Sequence, residues 1–234
     1  MSPFGAIASH YVASGGGPAS WNDAVAALSP SAWYKMDEAS GTTLVAAVGS
    51  NGVTAASNIT HNQPSLVPSD ASGKSKISAS GAQIDTGTIA YDFSTGFTVI
   101  WVYKGSTSDV AGNGEVFRTI SVNHLAVRVT ATDLILAALS GTTRTDALCA
   151  RGDLLDSAAH MCTLTLVNNE QKFYLGSTLK STFTNAATMS NSSVIRFARS
   201  GAGNYLSGNY DELIFVPSVL TGTQISTLHS SFTG

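Results

Sequence analysis

The sequence predicts an all-β fold, a two-sheet antiparallel sandwich with one or two short helices, and three observations predict it. Short runs alternate apolar and polar residues, as in Cys162-Thr163-Leu164-Thr165-Leu166-Val167, which sends Cys162, Leu164 and Leu166 to one face and the threonines to the other. Gly, Ser and Thr are abundant while Leu/Glu/Lys blocks at helical spacing are nearly absent. Turn signals recur at short intervals, among them Ser50-Asn51-Gly52, Gly112-Asn113-Gly114, Asn168-Asn169 and Gly201-Ala202-Gly203-Asn204, whose Gly and Asn residues accept the positive φ of tight connections.

Along the chain, residues 1–20 read as a flexible arm, because Ser14-Gly15-Gly16-Gly17-Pro18 makes a joint behind the apolar Phe4, Ile7, Tyr11 and Val12. Two expectations stand for that arm: a terminus tucked onto its own domain, or an anchor that orders on a larger assembly. Trp21, Val25 and Leu28 suit a short helix stopped by Ser29-Pro30. Strands are expected over 33–37, 76–79, 97–103, 116–122, 125–129, 134–139, 162–167, 172–175, 194–198 and 210–216. The run Phe97-Thr98-Val99-Ile100-Trp101-Val102-Tyr103 is apolar on both faces, so it belongs in mid-sheet with its second face covered or turned to a ligand. Near the end, Thr221 and Gln224 have capping-box spacing, and Ile225, Leu228 and Phe232 follow as one apolar stripe. No charged or proline-rich linker divides this series, so 21–234 reads as a single domain.

Composition removes several function classes. The 234 residues carry 12 Lys+Arg against 15 Asp+Glu, a formal net charge of -3 with no basic run, which argues against nucleic acid as a partner. No stretch approaches the apolar length of a membrane span and no export signal is visible, so no membrane insertion is expected. Two cysteines, Cys149 and Cys162, cannot build a disulfide scaffold or a four-thiolate zinc site; both read as small core residues, with a mutual bridge the lesser alternative.

Residues Ala32-Trp33-Tyr34-Lys35-Met36-Asp37-Glu38-Ala39-Ser40-Gly41-Thr42-Thr43, followed by Val48-Gly49-Ser50-Asn51-Gly52, resemble the opening strand and loop of the laminin-G-like, concanavalin A-like jelly rolls. The later blocks 93–102, 160–167, 173–176, 195–200 and 208–215 resemble that family's subsequent strands in order and spacing, and 220–225 its terminal helix start. The sequence departs from the family in a single His160 where many members carry Trp-His-His, and in Gly176 without a preceding Asp. The resemblance implies a jelly roll whose first and last strands pair. The start Met1-Ser2-Pro3-Phe4-Gly5-Ala6-Ile7-Ala8-Ser9-His10-Tyr11, with its Gly-rich joint, further resembles minor tail proteins of phages of actinobacteria. That second resemblance implies a virion tail protein, synthesised in the host cytoplasm, held to other virion subunits through the arm, oligomeric, and binding a host surface glycan. A purely structural virion subunit and a bacterial glycan-processing protein are the alternatives.

The residues offer little for catalysis. Glucanase relatives of this jelly roll place carboxylates at alternate positions of one strand, whereas Asp37-Glu38 and Asp211-Glu212 are adjacent pairs expected to point to opposite faces, and Asp153 and Asp156 are expected in a loop. The histidines His10, His61, His124, His160 and His229 form no nucleophile or zinc motif. A non-enzymatic protein is expected. If the first and last strands pair, Asp37 and Asp211 approach one another, either as part of a calcium site or as acceptors for backbone amides. Arg151-Gly152-Asp153 spells an adhesion tripeptide of the kind that recurs by chance. For a saccharide, which needs an aromatic face plus planar polar groups, the candidates are Asn204 and Tyr205 in the Gly-rich turn, with Trp101, Tyr103 and Arg128 lining a concave face; ordinary core is the alternative for the aromatics.

Overall fold

Residues 20–54, 58–78, 82–92, 94–109, 113–120, 125–139, 142–168, 170–184, 192–198 and 206–234 are described by the structure, a computed structural model. The early strands are β1 (Ala32–Tyr34), β2 (Thr43–Leu44), β3 (Ala46–Val48), β4 (Gly52–Thr54), β5 (Ile59–Pro64) and β6 (Lys74–Ser78). Then come β7 (Ile84–Ala90), β8 (Phe97–Ser106), β9 (Gly114–Thr119), β10 (Ala126–Val129), β11 (Asp133–Leu139) and β12 (Thr142–Ala150). The last are β13 (Asp156–Val167), β14 (Glu170–Leu175), β15 (Thr178–Phe183), β16 (Ser192–Phe197) and β17 (Gly208–Val216). Helices α1 (Trp21–Ala27), α2 (Arg151–Leu154) and α3 (Gly222–Thr233) complete the set.

These strands form two antiparallel sheets stacked as a jelly-roll sandwich. The first runs β15-β14-β13-β8-β17-β1-β3, with β6 also paired to β17 and β5 to β6; the second runs β12-β11-β10-β9-β16-β7-β4-β2. The first and last strands do pair: Ala32, Trp33 and Tyr34 lie opposite Phe215, Ile214 and Leu213. Strand β8 takes the middle of the first sheet because both its faces are buried. Phe97, Val99, Trp101 and Tyr103 point into the sandwich, while Ile100 and Val102 join Trp21, Trp33, Met161, Ile214 and Phe232 in a second cluster outside it.

Inside the sandwich the sheets meet through aromatic rings. Trp101 meets Phe117 of the opposite sheet edge-on at 5.3 Å, and Phe117 continues to Phe197 at 5.4 Å. One polar link also crosses: the Tyr34 hydroxyl of β1 donates to the Ser50 carbonyl at 2.7 Å and accepts from the Gly87 amide of β7 at 3.0 Å. A side chain at Gly87 would come within 2.4 Å of the Ser50 carbonyl, so this close passage of two backbones requires glycine inside β7.

On the outside of the first sheet, α1 and α3 cover the second cluster. Ser20 caps α1 through the Asp23 amide, and Thr221 with Gln224 closes a complete capping box on α3, as their spacing predicts. Ile225, Leu228 and Phe232 face inward, and Phe232 meets Trp21 edge-on at 5.9 Å, tying the two helices together. Of the arm expected over 1–20, only Ser20 is among the described residues.

Strand β1 stops at Tyr34 rather than Asp37 because Met36 adopts a left-handed backbone, φ 57°. The turn carries Glu38 back towards Lys76, whose side chain is fully buried. The Lys76 ammonium pairs with Glu38 Oε2 at 2.6 Å and donates to the carbonyls of Met36 and Glu38, both at 3.0 Å, so all three of its donors are used. Replacing Lys76→Met strands two carbonyls and a carboxylate; the expected loss is about 3 kcal/mol, a fall of roughly 6–12 °C in melting temperature by calorimetry. Adding Glu38→Gln to that variant is expected to restore part of the loss.

Candidate functional site

The residues singled out for saccharide binding separate in the structure. Trp101 and Tyr103 are 1% and 0% exposed and belong to the core between the sheets rather than to a ligand-facing concavity. A strand apolar on both faces has one face in the core and, here, the other under helices, which leaves neither aromatic for a ligand. The Tyr103 ring lies against the backbones of Gly105 and Gly208, and its hydroxyl donates to the Ser207 carbonyl at 2.8 Å. Asn204 and Tyr205 lie outside the described residues.

Arg128 does reach a surface, the outer face of the second sheet. Alternation along β10 puts Val127 and Val129 in the core and Arg128 outside, with Glu115 as its cross-strand partner on β9. The neighbouring row runs Asp85, Arg196, Arg118, Ala126 and Ala138 across β7, β16, β9, β10 and β11. Arg196 grips Asp85 with two parallel bonds, Nε to Oδ1 at 2.8 Å and Nη2 to Oδ2 at 2.9 Å. Arg128 Nη2 donates to Glu115 Oε1 at 3.1 Å, and Arg118 Nε stands 3.7 Å from Glu115 Oε2, an ion pair too long for a hydrogen bond. Glu115 is fully buried beneath arginines whose side chains keep 24% to 30% exposure. Helices α1 and α3 pack on the first sheet, away from β9, β16 and β7. Sequence reasoning found Arg128 alone, because only strand register brings Glu115, Arg118, Arg196 and Asp85 to it.

The acidic pair on β17 departs from its expected geometry. A bulge sets Tyr210 opposite Tyr103 and Leu213 opposite Trp101, so one extra residue is accommodated and both Asp211 and Glu212 turn to the outer side. Asp211 Oδ2 accepts from the Leu66 amide at 2.5 Å and from Ser65 Oγ at 2.9 Å, and Glu212 Oε2 accepts from Trp33 Nε1 at 2.5 Å. The Trp21 indole and Lys35 also face Glu212. Burial, opposed by the Leu66 and Ser65 donors and reinforced by the charge of Asp37, pushes the Asp211 carboxyl up to about 7. Burial and the adjacent Asp211 push Glu212 up to about 8. Exposures of 1% and 4% put both carboxyls beyond the reach of a polysaccharide.

Asp37 therefore does approach Asp211, as the pairing of first and last strands implies. Its Oδ1 accepts from the Lys74 amide at 2.7 Å. Both acids thus serve as acceptors for backbone amides, and donors aimed at the oxygens suit hydrogen-bonded carboxylates rather than a hard-cation cage. Among the described residues no group of three or more His, Cys, Asp or Glu side chains is placed to hold a metal ion.

Three further features are structural. Asp156 opens β13 instead of lying in a loop, and its Oδ1 is 2.7 Å from His160 Nε2. Arg151, Gly152 and Asp153 form α2, where Arg151 donates to the carbonyls of Thr130 and Thr107 and Asp153 pairs with Lys180 at 3.0 Å, so the adhesion tripeptide is engaged internally. Cys149 and Cys162 are free and buried as expected, and burial pushes the Cys149 thiol up to about 12, leaving it inert.

No protein-family model matches the chain, and no curated protein matches it by sequence. Solved structures do match. Domain 4 of AbnA, an extracellular arabinanase from Geobacillus stearothermophilus, in complex with arabinotriose, is 14% identical with a TM-score of 0.60, over 86% of this chain and 98% of that one. The binding domain of botulinum neurotoxin serotype D is 12% identical, TM-score 0.62, over 88% of this chain and 52% of that one. The sialidase of Trypanosoma rangeli is 11% identical, TM-score 0.58, over 86% of this chain. This chain spans about half the length of the toxin domain and about a third of the sialidase (52% and 32%). The shared feature is the fold. It is a two-sheet antiparallel β-sandwich.

The buried acid pair sets a dependence on pH. Carboxyls raised from 3.8 and 4.5 in the unfolded chain to about 7 and about 8 in the folded one hold their protons longer when folded. Their contribution is fully present below pH ~4 and is lost as pH rises through ~7 to 8. Glu212→Gln keeps an acceptor for the Trp33 indole without a charge, so at pH 8.5 it is expected to melt about 5 °C or more above the parent. At pH 4 the two should melt alike. Calorimetry showing a parent melting temperature unchanged from pH 5 to 8.5 would contradict this account.

Proposed function

We propose that this protein is a non-catalytic, lectin-like binding module that engages glycans through the outer face of its second sheet. The observation that carries the reading is the contrast between the two outer faces: one is covered by α1 and α3, while the other presents Arg118, Arg128 and Arg196 with part of each side chain exposed. A rigid sandwich with one open, polar face suits recognition of an extended chain of sugars, since planar guanidinium and carboxylate groups match sugar hydroxyls. Support comes from the fold, which recurs in a domain solved with arabinotriose and in toxin binding domains. The inaccessible positions of Asp211 and Glu212 favour binding over hydrolysis.

The finer reading is a tail protein of a phage that infects actinobacteria, oligomeric, held to other virion subunits by residues 1–20 and displaying the module to the host surface. It is supported by the resemblance of the first residues to such proteins and by the apolar Phe4, Ile7, Tyr11 and Val12 beside a Gly-rich joint. Multiple copies would add weak individual contacts through high effective concentration.

A glycan array and cell-wall pull-down with the full chain test the proposal. Retention on cell-wall polysaccharide, competed by free glycan and accompanied by no release of reducing sugar, is the expected outcome. Failure to retain any glycan refutes the binding reading, and sugar release refutes the non-catalytic one.

A further inference from the structure

From the arginine lattice on the second sheet we infer the chemical class of ligand: a saccharide carrying carboxylates, of the uronic-acid kind, held by Arg118 and Arg128 with Arg196 beside them. This deepens the proposed glycan-binding reading and rests on it.

Among the described residues, three guanidinium groups of this lattice meet two carboxylates, Glu115 and Asp85, an excess of one positive charge. The donors are also unevenly used. A guanidinium has five N–H groups. Arg196 spends two on Asp85, Arg128 one on Glu115, and Arg118 none within hydrogen-bond distance of an acceptor among the described residues. Arg128 Nε is buried without a partner, and so is Glu115 Oε2 apart from the long ion pair to Arg118. Glu115 thus draws two arginines to one point from beneath while satisfying neither; Arg128 Nε is closed off from solvent, so the donors left for an acceptor from outside are those on the exposed parts of Arg118 and Arg128.

The chemistry of that acceptor follows from geometry already on this face. Asp85 sits on Arg196 as a planar carboxylate gripped by two parallel bonds. A ligand carboxylate arriving between Arg118 and Arg128 accepts from both guanidiniums with its two oxygens, which a single hydroxyl cannot, and it neutralises the spare charge. The net charge of -3 on the whole chain works against a densely charged polyanion, so the match is to carboxylates spaced one per sugar, not to a sulfated or phosphate polymer.

Titration calorimetry of the full chain with an oligogalacturonate, a neutral galactose oligomer of equal length and dextran sulfate tests this. The oligogalacturonate is expected to bind at least about tenfold more tightly than the neutral oligomer and to weaken in about 0.5 M salt. Arg118→Gln and Arg128→Gln should each reduce its binding about tenfold, Arg118→Lys less, and Lys104→Gln on the other sheet not at all. Thermal melts confirm that each variant is folded, and any variant that is not is replaced in the comparison by Arg118→Lys. Equal binding of acidic and neutral oligomers, binding of dextran sulfate alone, or acidic binding indifferent to both arginine variants overturns the inference. In the first case glycan binding itself stands; absence of every interaction, here and on the array, removes that reading too.

Discussion

The pairing of β1 with β17 governs both sides of the first sheet. It places Tyr34 inward, where its hydroxyl spans to Ser50 and Gly87 of the other sheet, and Trp33 outward, where its indole meets Glu212. Because β17 lies between β1 and β8, the same register sets Ile214 opposite Ile100 and Val216 opposite Thr98, and with Val102 they form part of the apolar surface that α1 and α3 cover. The bulge in β17 then decides what becomes of two consecutive acids. Without the extra residue one of them would enter the aromatic core; with it, both lie on the helix side among indole and amide donors.

The protein handles buried charge in two ways within a short stretch of structure. Lys76 is buried as a cation because Glu38 and two carbonyls complete its coordination. Glu212 has the Trp33 indole as donor and, among the described residues, no cation in hydrogen-bond contact, so burial favours its protonated form. The second arrangement makes the helix-covered side sensitive to alkaline conditions.

How much of this is legible in the sequence depends on whether the determining contacts are local. Alternation at Cys162–Val167, the two-faced run at Phe97–Tyr103, and the capping pair Thr221 and Gln224 are local signals, and the corresponding elements form. Strands β5, β12 and β15 carry little apolar alternation; β12 and β15 close their sheets at the edge and β5 pairs only with β6, so most of their side chains stay at least partly exposed and polar residues serve on both faces. Strand β7 is interrupted by Gly87, which the approach of Ser50 demands and no neighbouring residue announces. At the site, Arg128 is legible because its neighbours Val127 and Val129 show which side is out. Its partners are scattered over residues 85 to 196, and only the register of four strands assembles them. Trp101 and Tyr103 illustrate the reverse error: aromatic character suits both a sugar platform and a core, and burial on β8 assigns them to the core.

Helices α1 and α3 touch through Trp21 and Phe232, on the side of the sandwich away from the arginine lattice. The first and last described elements of the chain therefore lie on the same flank. A tether fused after Gly234 would leave from the helix-covered flank, opposite the one that carries Arg118, Arg128 and Arg196.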